Sequence, residues 1–349
     1  QAAPGGKNAF SALIMRRPHS RPWGERAKTA RFCALGVVAL FCMAWRPLGM
    51  VPIPSVKLAN GGSMQQLALG LYNVPRENVK TVVDAALEAG MRNFDFASFY
   101  NNEAECGSAL RDWLSKGHDR SELFITTKVW TTDLGSPADA VRSAEISIDE
   151  LGLGPVDLVM VHWPMPGKHL PAYLALEALV KSGKTKALGI SNYSPEDYEE
   201  LMKAATIPPM VNTFENNPML YRKEWVDFFQ REGVAVMAYK PLQRSGPVLS
   251  CDTVTSIATS LKKSPAQVCL RWNIQKGNVI TFKSNAPARI AENADIFDFD
   301  IPQPDMDKLD ALTTEEVMAE ARGHWEQRRN GTPAPWGEGL RPEKRLVEA

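Results

Sequence analysis

The sequence predicts an α/β chain folded as a (β/α)8 TIM barrel with an N-terminal β-hairpin, and three observations lead there. Short apolar runs alternate with amphipathic stretches from Leu67 onward. The runs are apolar nearly throughout, as strands covered on both faces are. Eight strand-then-helix units follow one another, over roughly 250 residues, the usual length of such a barrel.

The elements follow in order. Residues 55–64 contain Asn60-Gly61-Gly62, a turn signal between two short runs, and read as a hairpin that plugs the barrel bottom. Residues 66–72 are the first barrel strand. Residues 76–88 are a helix, because Val79, Val82, Val83, Ala86 and Leu87 recur at helical spacing and Gly90 stops the pattern. Residues 92–96 are strand and 103–114 helix. Residues 123–129, rich in β-branched side chains, are the third strand, followed by a helix over 137–151. Strand 156–161 precedes helix 170–181, and strand 185–190 precedes helix 195–205, with Ser194 as its N-cap. Strand 210–214, helix 223–232 and strand 234–239 come next. Two helices, 253–261 and 265–275, lead to the last strand, 278–282, and the last helix, 287–294. No G-x-G-x-x-G follows the first strand, and Gly152 and Gly154 read as a turn. A Rossmann site is therefore excluded, and any dinucleotide must be held another way.

Composition narrows the function. The chain has 349 residues, 44% of them hydrophobic, so it can bury a large core. Lys+Arg 40 balances Asp+Glu 40, which removes the electrostatic case for nucleic acid. Cys33 and Cys42 lie in an apolar run, and Cys106, Cys251 and Cys269 are widely spaced. They read as free thiols, and no spacing suggests a metal. Residues 1–50 differ from the rest. Arg16, Arg17, Arg21, Arg26, Lys28 and Arg31 precede an uncharged apolar stretch, Cys33 to Trp45, that is short for a membrane span. The expected division is a targeting or anchoring leader over 1–50, a barrel over 51–322 and a C-terminal tail over 323–349. Any membrane contact is expected through the leader alone. The leader does not name a compartment, and a monomer is expected.

Reactive groups of such a barrel sit at the C-terminal strand ends. There the sequence places Asp95 and Tyr100 after the second strand, Lys128 at the end of the third and His162 at the end of the fourth. Singly, each reads as a cap, a rim cation or packing. Together they fit carbonyl reduction, which needs hydride at carbon and a proton at oxygen. A phenol near pKa ~10 is a weak acid at neutral pH. A nearby ammonium lowers that value, so Lys128 is expected to activate Tyr100, with Asp95 fixing the lysine. His162 is expected to orient the carbonyl oxygen. Tyr72, Trp130 and Trp163 would ring the mouth as substrate contacts.

These segments resemble a known family. The run AGMRNFDFASFYNNE at 89–103 resembles the aldo-keto reductase signature around its catalytic Asp and Tyr. TKVW at 127–130 is similar to the catalytic lysine strand, and DLVMVHWP at 157–164 to the histidine strand. LGISNY at 188–193 resembles the segment whose Ser-Asn pair, here Ser191 and Asn192, holds the nicotinamide carboxamide. Lys283-Ser284, with Arg289, Glu292 and Asn293, resembles the adenosine-phosphate site. The likeness runs from about Leu58 to Phe299 in the expected order. It implies an NADP(H)-dependent oxidoreductase with an Asp-Tyr-Lys-His tetrad. It also implies that Tyr239 stacks on the nicotinamide and that the loop from Lys240 to Gly246, with Leu242, covers the pyrophosphate. Lys283 and Arg289 flank a helix start, which suits a 2'-phosphate.

Some positions depart from the family pattern. Thr213 stands where a Gln usually follows Asn212, and Lys240 stands where the loop usually begins with Ser. Asn285 and Ala286 follow Lys283-Ser284 in place of Val-Thr. The expected function is reversible NADPH-dependent reduction of an aldehyde or ketone. The alternative is a non-catalytic NADP-binding barrel acting as a regulatory subunit. An aldolase or isomerase barrel would need a Schiff-base lysine or a glycine-rich phosphate loop, and Lys240 alone merits attention there.

Overall fold

A computed structural model describes residues 51–330. The leader expected over 1–50, and the tail beyond Asn330, lie outside the described residues. A two-stranded antiparallel hairpin opens the fold, β1 (Ser55–Lys57) with β2 (Ser63–Gln65). Gly61, at φ +84°, makes its turn with a backbone that a side chain would strain.

Eight parallel strands then close into a barrel. They are β3 (Leu67–Gly70), β4 (Asn93–Asp95), β5 (Phe124–Val129), β6 (Leu158–Val161), β7 (Leu188–Ser191), β8 (Val211–Glu215), β9 (Ala235–Tyr239) and β10 (Val279–Phe282). Each pairs with its sequence neighbour, and β10 pairs with β3 to seal the ring. The expected fold class is therefore the observed one.

The helices that return the chain are α1 (Arg76–Glu88), α2 (Glu103–Ser115), α3 (Pro137–Leu151), α4 (His169–Lys181), α5 (Pro195–Met202) and α6 (Lys223–Arg231). Then come α7 (Asp252–Leu261), α8 (Pro265–Gln275) and α9 (Pro287–Ala294). Local chemistry explains several starts. Ser136, Ser194 and Ser264 each accept a backbone N–H from within the first turn, and Pro stands at the next position in all three. Two helices that the sequence reading did not foresee end the described chain, α10 (Gln303–Asp310) and α11 (Glu315–Arg329). The tail boundary expected after residue 322 thus falls inside α11.

The barrel's N-terminal end is shut by apolar packing. Leu58 and Met64, from the hairpin, join Ala68, Leu158, Met160, Val211, Met237 and Val279 in one buried cluster. Around the ring the strands are essentially free of solvent, as near-continuous apolar runs require. Cys106 and Cys269 are buried free thiols and Cys251 is half-buried. Among the described residues, no helix is long and apolar enough to cross a membrane.

Candidate active site

The opposite, C-terminal end of the barrel holds a cleft of about 1040 Å³. Small-molecule sites commonly measure roughly 300–1,000 Å³, so the space suits a dinucleotide together with a small substrate.

Its floor is built from strand ends. β4 stops at Asp95, and the chain runs extended through Ala97 into a short 3-10 turn, Ser98–Tyr100. Asn101 ends that turn in the left-handed region, φ +53°, clamped by Arg76, which donates to its carbonyl and its side-chain oxygen. The next residue, Asn102, donates to the Leu71 and Val74 carbonyls. These bonds fix where the Tyr100 ring stands. Lys128, on β5, reaches inward and is 2% exposed. Its ammonium donates to Asp95 Oδ1 at 2.5 Å, to the Phe96 carbonyl at 2.8 Å and to Tyr100 Oη at 3.3 Å. His162 follows β6. Its ring meets Tyr100 edge-on at 6.1 Å between centroids and Trp130 at 4.8 Å. The four residues expected to carry the chemistry therefore come together from three consecutive strands.

The electrostatics differ from expectation at one point. Burial and the neighbouring Asp95 carboxylate push the Tyr100 phenol well above its ordinary value. The reading from sequence had Lys128 lowering it. The reason for the difference is that the ammonium is already spent on Asp95 at 2.5 Å. The Asp95 charge offsets part of the ammonium's pull on the phenol, and desolvation outweighs what remains. Burial likewise raises Asp95 and lowers Lys128, each resisted by the other's charge.

The walls hold the residues expected to grip a cofactor. Ser191 ends β7 and donates to the Thr213 carbonyl at 3.1 Å. Asn192, at φ +64°, donates to the His162 carbonyl and to Ser191 Oγ, and accepts from Tyr239 Oη at 2.7 Å. Leu242, Lys283, Ser284, Arg289, Glu292 and Asn293 line the other side of the same cleft. Tyr72, Trp130 and Trp163 are at its mouth, with Tyr72 edge-on to Tyr100 at 5.3 Å.

These residues fit a phosphate-bearing dinucleotide. Lys283 is held below its usual value by burial and by the guanidiniums of Arg289 and Arg244, a crowding of like charge that an anion relieves. Beside it, α9 starts at Ala286 without a side-chain cap, which leaves its first N–H groups available to an acceptor.

Sequence reasoning gave Glu103, Trp325, Arg328 and Arg329 no individual role at the site. Glu103 is wholly buried behind Lys128 and accepts from Thr127 Oγ1. It stood inside the quoted run, and its burial was the missing signal. Lys240 pairs with Glu215 at 2.6 Å, both half-buried on the cleft wall. α11 crosses the cleft, where Trp325 donates from its indole to the Asn192 carbonyl at 2.6 Å. Arg329 pairs with the buried Asp197, and Arg328 lies over the Trp163 ring.

Comparison with known proteins agrees with this geometry. The Aldo/keto reductase family model matches residues 58–314. A glyoxal reductase of Bacillus subtilis (strain 168) is 43% identical over 263 residues, 75% of this chain and 94% of that protein. The uncharacterized oxidoreductase YtbE of the same organism is 40% identical over 257 residues, 73% of this chain and 91% of that protein. Among solved structures, an aldo-keto reductase (AKR2E5) complexed with NADPH superposes with a TM-score of 0.72 at 31% identity, covering 76% of this chain and 89% of that one. An aldo/keto reductase from Brucella melitensis gives 0.71 at 35% identity, covering 76% and 100%. The chain belongs to the aldo/keto reductase family of NADP(H)-dependent oxidoreductases.

Proposed function

We propose that this enzyme reduces an aldehyde or ketone to the alcohol, with Tyr100 as the proton donor. One observation carries the reading. The Tyr100 phenol, the Lys128 ammonium and the Asp95 carboxylate form a hydrogen-bonded chain at the floor of the cleft, with His162 against the phenol.

Bound NADPH supplies a hydride for the carbonyl carbon. The negative charge that then grows on the carbonyl oxygen needs a proton, and Tyr100 gives up the one on Oη. Lys128, 3.3 Å from that oxygen, stabilises the phenolate left behind. Asp95 keeps Lys128 charged against its own burial. His162 orients the carbonyl oxygen toward the phenol. Burial keeps the resting phenol protonated, the form that reduction requires.

Ser191 and Asn192 take the carboxamide in this reading, and the Tyr239 ring takes the nicotinamide face. Leu242 covers the pyrophosphate. Lys283, Ser284, Arg289, Glu292 and Asn293 take the adenosine end. Tyr72, Trp130 and Trp163 wall the substrate. The name of the glyoxal reductase relative supports a small carbonyl substrate. A barrel that only bound nucleotide would gain nothing from an ion pair buried at its floor.

The test follows NADPH absorbance with glyoxal and with 4-nitrobenzaldehyde. Turnover is expected with the natural chain and not with Tyr100→Phe, which should still bind NADPH. Wild-type turnover in that variant would remove Tyr100 from the mechanism.

A further inference from the structure

We propose that Arg222 binds an anionic group on the carbonyl substrate, so that the enzyme prefers carbonyl compounds carrying a carboxylate or a phosphate. The inference rests on the reductase reading above and names its substrate class.

Arg222 follows β8, lines the cleft and is only 8% exposed. Its Nε has no hydrogen-bond partner, and among the described residues no carboxylate forms an ion pair with it. A guanidinium buried in this way is costly unless something answers its charge. What it does touch is aromatic, the Trp225 ring at 4.6 Å.

The position is built. The Arg222 backbone N–H donates to Asn216 Oδ1 at 3.0 Å, and Asn216 Nδ2 in turn donates to Asn273 Oδ1 at 2.9 Å. Both asparagines are wholly buried. Glu215 is the carboxylate that acts on Arg222 electrostatically, but its Oε2 already receives Lys240 at 2.6 Å. Arg322 adds a further positive charge beside Arg222. The carboxylate that acts on Arg222 is thus already held by Lys240.

Two further guanidiniums line the same cleft. Arg244 stands over the Tyr72 ring at 5.6 Å and Arg328 over the Trp163 ring at 5.7 Å. Two of the three aromatic residues at the mouth are therefore backed by guanidinium groups. A guanidinium fork matches carboxylate and phosphate oxygens two at a time, which an ammonium does not. The adenosine end of the cofactor has its own cations, Lys283 just after β10 and Arg289 on α9, with Arg244 close to Lys283. Arg222 belongs to another wall, beside Trp225, which packs edge-on against Trp325 of α11.

The test compares two acids, 4-carboxybenzaldehyde and a four-carbon ω-oxo acid, each with its methyl ester. Each pair differs chiefly in charge. In the natural enzyme kcat/KM should favour the acids. In Arg222→Gln that preference should fall by about tenfold to a hundredfold, the worth of a charged hydrogen bond. Arg222→Lys should keep part of it. NADPH affinity is measured alongside by tryptophan fluorescence. No acid preference in the natural enzyme overturns the proposal, and so do equal losses on acid and ester. A loss falling on NADPH affinity assigns the guanidinium to the cofactor's phosphates and also overturns it. Benzoate binding by calorimetry supplies a readout that needs no turnover. Arg222-dependent benzoate binding in a protein that reduces neither acid nor ester would keep the anion site but overturn both its carbonyl substrate and the reductase reading. Absence of such binding would sink the inference alone.

Discussion

The two ends of the barrel solve opposite problems with the same eight strands. At the N-terminal end, Leu58 and Met64 of the hairpin meet the barrel's inward apolar side chains, and the cluster is dry. At the C-terminal end the strand ends and the residues beside them present Asp95, Lys128, His162, Ser191 and Tyr239, and the barrel opens into a cleft. One end supplies burial energy, and the other holds charges and amides in costly places. The difference teaches that stability and chemistry are separated along the barrel axis, so substitutions at the two ends should separate in their effects.

Tyr100→Phe gives the largest expected effect. General acid catalysis is worth about 10²- to 10⁴-fold, and kcat should fall by that much while thermal stability stays near that of the natural chain. A large loss of stability would break the separation. Lys128→Met comes next and tests its boundary, because this side chain is both buried and reactive. Removing one partner of a buried pair costs about 3–5 kcal/mol, since Asp95 is left alone. Combining it with Asp95→Asn should restore most of the stability and none of the activity, as read by chemical denaturation and turnover. Met64→Ala, at the closed end, should cost about 2–5 kcal/mol in stability and leave KM unchanged. A shifted KM would show the two ends to be coupled.

Two smaller effects sharpen the picture of the open end. Arg289→Ala should weaken NADPH binding about tenfold and NADH binding little, as one charged contact to a 2'-phosphate predicts. The last concerns pH. Tyr100 must be protonated to act, and its value is raised, so the proton is retained to higher pH than an ordinary phenol allows. Reduction should lose no activity to this group up to about pH 10, where an unperturbed phenol would be half ionised. A fall in kcat near pH 8, in a profile corrected for cofactor stability, would contradict that sign.

Much of the architecture was legible because strands buried on both faces leave unbroken apolar runs. Boundaries shifted where pairing ends before the apolar run does. The strand read over 66–72 is Leu67–Gly70, and one backbone bond continues past it, from the Leu71 N–H to the Asp95 carbonyl. Val156 and Thr185, read as strand starts, make only an isolated bridge. α11 left no stripe to read, since it buries none of its residues fully. At the site, Asp95, Tyr100, Lys128 and His162 were found from strand ends and from the resemblance. The direction of the Tyr100 shift was not, because depth of burial is a property of the closed ring. Arg222 gave no signal, as a single arginine after a strand looks like any solvated cation.

Asn192 gathers bonds from its neighbour Ser191 and from three segments far apart in the sequence. Its amide holds Ser191 and the turn at His162, Tyr239 leans on its oxygen, and Trp325 hangs from its carbonyl. A keystone of that kind makes the last helix part of the arch it touches. Shortening the chain before residue 325 would therefore loosen the masonry around the proposed nicotinamide site rather than trim an ornament from the rim.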